Sequence, residues 1–129
     1  MDGFEHESLD PYPAALEFVA LIDRAMMMVP PARGYLVTEL QQGATRAAQS
    51  IAVGASEPNQ TDQLGFLIEG RRAALRCAVL LDAMNVLKVI PQECRDAGRL
   101  LLLQIVERLG QMEYALAMEL AAVEKKEKA

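Results

Sequence analysis

The sequence predicts an all-α protein, an antiparallel up-down-up-down four-helix bundle. Three observations predict it. Apolar residues recur at steps of three and four along four separate segments. Three of those segments exceed twenty residues, and the breaks between them are short, which makes sequential neighbours antiparallel. The apolar residues are mostly Ala, Leu and Met, with few Val and Ile and only 5% aromatics, a mix that favours helix over strand. At 129 residues and 52% apolar content, the chain is long and apolar enough for one domain with a real core.

Residues 1–12, MDGFEHESLDPY, read as an acidic, mobile lead-in. Pro13 suits the first turn of a helix, and the first helix is predicted from Ala14 to Met28. Phe18, Leu21, Ile22, Ala25 and Met28 form its inner stripe, with Glu17 and Arg24 facing away. Pro30 and Pro31 end it. A second helix is predicted over Gly34–Ala55, with Leu36, Leu40, Ala44, Ala47 and Ile51 inside. The polar loop SEPNQTD follows, and Thr61 is the predicted N-cap of a third helix over Asp62–Val89. Leu67, Gly70, Ala74, Cys77, Leu81 and Met84 mark its inner face. Pro91 restarts the chain for a fourth helix over Gln92–Glu124, seamed by Ile105, Leu109, Met112, Leu116, Leu120 and Val123. The bundle thus covers 13–124, and 125–129 form a charged, frayed tail.

The second helix contains LQQGATRAAQSIAVGAS, a run of small residues where helix cores usually hold Leu or Ile. Small side chains let two backbones approach closely. Leu40, Gly43, Ala44, Ala47, Ala48 and Ile51 are therefore the predicted helix-packing seam. Gly43 costs roughly 1 kcal/mol of helix propensity relative to Ala, which points to a packing constraint. Gly54, near the helix end, is assigned to termination.

The residues exclude most chemistry. The single His, His6, lies in the lead-in, no Glu-x-x-His motif faces a bundle interior, and no phosphate loop occurs. No catalytic, cofactor-binding or metal-binding residue is assigned. Glu39, Glu69, Glu107, Glu113 and Glu119 have the spacing of solvated carboxylates. Cys77 and Cys94 form no C-x-x-C and read as reduced thiols. No basic-then-apolar leader opens the chain, and the longest purely apolar run, Leu100–Leu103, is far short of a membrane span. A cytoplasmic protein without a membrane partner is expected.

The net charge is −5, and residues 1–29 carry all of it, with six acids against Arg24. The folded part is neutral, which disfavours nucleic acid as a partner. The most basic run is RRAALR, in which Arg72 and Arg76 share a helix face and Glu69 is placed to pair with Arg72. Arg71, Arg72, Arg76, Arg95 and Arg99 are the candidate contacts for an acidic partner or for phosphates. MMMV at Met26–Val29 suits an adaptable contact surface.

LQQGATRAAQSIAVGAS, followed after a polar loop by FLIEGRRAAL, resembles a four-helix-bundle family found in open reading frames of 23S ribosomal RNA intervening sequences. In that family the second helix reads like LRRAAxSIxxNIAEG and the third opens like FLxIAxGSxxEL. Leu40, Ala44, Ile51, Ala52 and Gly54 match the first pattern, and Phe66 and Leu67 the second. The four-helix register fits over about residues 14–120. The charged positions depart from it: Gln41 and Gln42 replace an arginine pair, Val53 replaces a glutamate, and the family's third-helix glutamate falls near Arg76. The resemblance implies a bacterial bundle that forms homo-oligomers. One branch of that family, the accessory variability proteins of diversity-generating retroelements, forms pentameric barrels that bind nucleic acid and a reverse transcriptase. The expected function is a non-enzymatic homo-oligomeric scaffold or adaptor. The alternative is a nucleic-acid-binding accessory protein of a reverse transcriptase.

Overall fold

The computed structural model describes residues 10–128. Among these, four α-helices account for nearly all the chain and no strand occurs: α1 (Pro11–Met26), α2 (Gly34–Ser56), α3 (Gln60–Val86) and α4 (Gln92–Lys128). A single 3-10 turn, Pro31–Arg33, leads into α2. Helix α1 packs on α2 and α4, α2 on α3, and α3 on α4, while the diagonal pairs meet only through side chains in the core. This is the up-down-up-down bundle that short connections impose.

The helix boundaries follow local chemistry. Helix α1 begins at Pro11, three residues before the predicted start, because a proline in the first turn costs no hydrogen bond there. Pro11 and Tyr12 therefore belong to the bundle, and the rest of the predicted lead-in lies outside the described residues, except for Asp10. The N-cap of α3 is Asn59, not Thr61: the Asn59 side-chain oxygen accepts from the Asp62 backbone N–H at 3.0 Å. Thr61 falls inside the helix. At the other end, α3 stops at Val86, and Lys88 turns the chain with φ of 58°. Pro91 stands just ahead of α4, where its carbonyl accepts from the backbone N–H groups of Cys94 and Arg95.

Helix α4 continues through Lys128, so the predicted tail over 125–128 is helix rather than frayed chain. At 37 residues it measures about 55 Å. Residues 121–128 are all exposed, and the last cross-helix hydrogen bond joins Gln60 of α3 to Glu119. Helix propensity and the lysines of the last turn, set against the helix dipole, hold this extension without a neighbour.

The core lies where the inner stripes meet. Phe18 and Ile22 of α1, Leu40 and Ile51 of α2, Cys77, Leu81 and Met84 of α3, and Ile105 and Leu109 of α4 are almost completely buried. Met28 and Val123, predicted inside, are exposed. Each lies beyond the last turn that a neighbouring helix covers. Cys94, Gly98 and Leu102 extend the α4 seam towards its N-terminus, a stretch that leucine spacing alone does not reveal.

Candidate interaction surface

The α2–α3 seam is built from small side chains on both helices. Ala44, Ala47 and Ala48 of α2 and Ala73 and Ala74 of α3 are buried, and Leu40 and Ile51 flank them. A Cβ on Gly43 would lie 2.7 Å from the Cys77 sulfur. A Cβ on Gly54 would lie 2.9 Å from the Phe66 Cβ. Gly54 is thus a close-packing residue, not a terminator. Helix α2 runs two residues past it and ends at Glu57 in extended geometry with negative φ. Between them, Gly70 of α3 admits Ser50 and Leu109 at 3.4 Å from where its Cβ would stand. The six seam residues predicted from sequence all face inwards, with Gly43 half-buried and the other five buried.

Close packing also governs the thiols. Cys77 is buried, and its Sγ donates a long hydrogen bond of 3.8 Å to the Leu40 carbonyl. Burial pushes its pKa up to about 12. Burial raises the Cys94 thiol too, against a smaller opposing effect of Arg24. Both thiols are free and chemically muted, since the thiolate is the reactive form. With a disulfide reagent at pH 8, the folded protein is expected to react at least about a hundredfold more slowly than in urea. Fast labelling of the native state would contradict this. The shift also makes stability fall as pH rises from about 9 towards 12, because the unfolded thiol ionises first.

The five candidate arginines separate into two groups. Arg71 Nε donates to Glu113 Oε2 at 2.5 Å across the α3–α4 interface. Glu113 is nearly buried there, not the solvated carboxylate expected from its spacing. Arg95 donates to Asp82 at 3.1 Å and to Asp96 at 3.2 Å. Hydrogen bonds to Asp82 and then Asp96 raise its already high pKa. These two arginines therefore hold helices together. Arg72, Arg76 and Arg99 are exposed and form no ion pair among the described residues. Glu69, expected to pair with Arg72, forms no ion pair with it among the described residues. Of the five candidates, only Arg72, Arg76 and Arg99 are left for a nucleic-acid contact.

One residue missed in the sequence is Arg46. With Glu39, Gln42 and Gly43 of α2 it faces Ala73, Arg76, Val79 and Leu80 of α3 around a groove of about 480 Å³. Nothing in the spacing of α2 marks Arg46, because its partner Arg76 comes from the next helix. The other prominent surface is apolar. Val79 and Val86 of α3 are 67% and 78% exposed, and Leu100 and Tyr114 of α4 are 66% and 70% exposed. Leu75 lies four residues before Val79, and Leu103 and Met118 fall on the same side of α4 as Leu100. At the bundle end, Met27 and Met28 are also exposed.

Among the described residues no group of three or more His, Cys, Asp or Glu side chains is placed to hold a metal ion. No helix there is long and apolar enough to cross a membrane. His6 lies outside the described residues. In comparisons with known proteins, no family model and no curated sequence matches the chain.

Proposed function

We propose that this protein is a non-enzymatic homo-oligomeric scaffold or adaptor, assembled through the outer faces of α3 and α4. The observation that carries this reading is the pair of exposed apolar stripes, Leu75, Val79 and Val86 on α3 and Leu100, Leu103, Tyr114 and Met118 on α4. An isolated bundle needs one apolar stripe per helix, facing the core. A second stripe on each of two neighbouring helices is surface that a copy or a partner removes from water. The family resemblance adds a ring of five copies as the expected assembly.

Light scattering on the purified chain tests the reading. The expected mass is a multiple of 14.1 kDa at micromolar concentration. Val79→Glu combined with Leu103→Glu is expected to reduce it to the single-chain value with helix content unchanged, since both positions are exposed. A wild-type monomer would overturn the proposal.

A further inference from the structure

We propose that the groove between α2 and α3 is a binding site for a small amphipathic carboxylate. Arg46 and Arg76 hold the carboxylate, and the apolar body lies along Ala73, Val79 and Leu80. The site shares Val79 with the α3 stripe of the assembly reading, whereas Arg46 and Arg76 belong to neither stripe.

Three observations carry this. The first is the cavity, which at about 480 Å³ falls within the range of small-molecule sites. Gly43 and Ala73, from facing helices, are among the small residues that line it. A larger residue at Gly43 would have to displace the Cys77 side chain, because a Cβ there would stand 2.7 Å from its sulfur.

The second is charge. Arg71, Arg95 and Arg108 each find a carboxylate within the protein. Arg46 and Arg76, from opposite walls of the groove, have no ion pair among the described residues. Two arginines lining one cavity match a carboxylate, which each guanidinium can bind through a forked pair of N–H donors.

The third is polarity along the groove. The helices are antiparallel, so Arg46 lies towards the Ala73 end of α3, while Glu39 lies towards Val79 and Leu80. From Arg46 to Glu39 is two helical turns, about 10 Å. An anionic head between the arginines leaves room for a medium-length apolar body. Glu39 at the far end repels a second negative charge, so monocarboxylates are preferred over dicarboxylates.

Calorimetric titration with decanoate below its micellar concentration tests the site, with decanol and sebacate as comparison ligands. Decanoate is expected to saturate one site per chain, with decanol and sebacate at least about tenfold weaker. Arg46→Glu combined with Arg76→Glu is expected to abolish saturation, with the circular dichroism spectrum unchanged because both side chains are exposed. Arg72→Glu combined with Arg99→Glu makes the same change in net charge outside the groove and is expected to leave decanoate affinity intact. Equal binding of decanoate and decanol, equal loss in the two double variants, or no saturation by decanoate below millimolar concentration would each overturn the proposal.

Discussion

Replacing Phe18 with alanine is expected to lower the unfolding free energy by about 3–5 kcal/mol. Phe18 is 1% exposed, the largest core side chain of α1. Its ring reaches across to α4, where its Cε1 lies 3.3 Å from the point a Cβ on Gly98 would occupy. Helix α1 lies directly against only α2 and α4, and Phe18 and Ile22 are its largest fully buried side chains. Truncation removes the ring's burial and leaves a cavity that the surrounding helices, pinned by their own contacts, do not collapse to fill. A domain of this size has roughly 5–15 kcal/mol in total, so the variant keeps little reserve. Urea unfolding followed by circular dichroism reads the effect as a lower midpoint with a similar slope. A loss below about 1 kcal/mol would mean that α1 is not seated as described.

The second large effect is expected at Gly98. A Cβ there would stand 2.7 Å from Leu81 Cδ1, 3.3 Å from Phe18 Cε1 and 3.5 Å from Leu21 Cδ2. These atoms come from α3 and α1, so the glycine is the point where three helices converge. Gly98→Ala sets a gain of about 1 kcal/mol in helix propensity against a clash that a swing of Leu81 partly relieves. Gly98→Leu has no such escape, because its extra carbons meet neighbours from two other helices. A net loss of about 3 kcal/mol is expected. Gly110 of the same helix provides the control: nothing lies within 4 Å of its Cβ position, so Gly110→Ala is expected to stabilise by up to about 1 kcal/mol. Opposite signs at two glycines of one helix separate packing from propensity. Combined with Phe18→Ala, Gly98→Leu is expected to cost less than the two losses added together, since the cavity left by one receives the bulk of the other. Strict additivity would show that the two sites do not share this space.

The inner stripes were legible because helical periodicity is a local property. Leu36, Leu40, Ala44, Ala47 and Ile51, spaced by three or four, needed no knowledge of the other helices to be placed inside, and all five are buried. The same reasoning failed at helix ends. Met28 and Val123 continue their stripes in sequence, but the neighbouring helices stop short of them. Thr61 and Asn59 are both acceptable caps, and only the direction of the chain entering α3 selects Asn59. Gly54 reads as a terminator from its place near the helix end, whereas the Phe66 Cβ pressed against it explains the absence of a side chain.

The candidate surface was legible only in fragments. The small residues of α2 were visible as a seam, whereas the exposed valines of α3 and leucines of α4 emerge only once the inner faces are fixed. The arginines were visible as a cluster along RRAALR, but consecutive residues on a helix point in different directions. Arg71 turns to Glu113 on α4, Arg76 turns to the groove beside Arg46 on α2, and Arg72 faces solvent.

By itself, then, the sequence determined four helices, their order, their inner faces and the small-residue packing of α2, because each depends on residues within a few turns of one another. The tertiary structure alone decided which cations are spent on ion pairs, which glycines are required by a neighbour, and where a groove stays open. Those depend on the register between helices, and register is set by how side chains distant in sequence interlock. A difference of one residue along either helix would part Gly43 from Cys77 and Arg46 from Arg76 while leaving every stripe in the sequence unchanged.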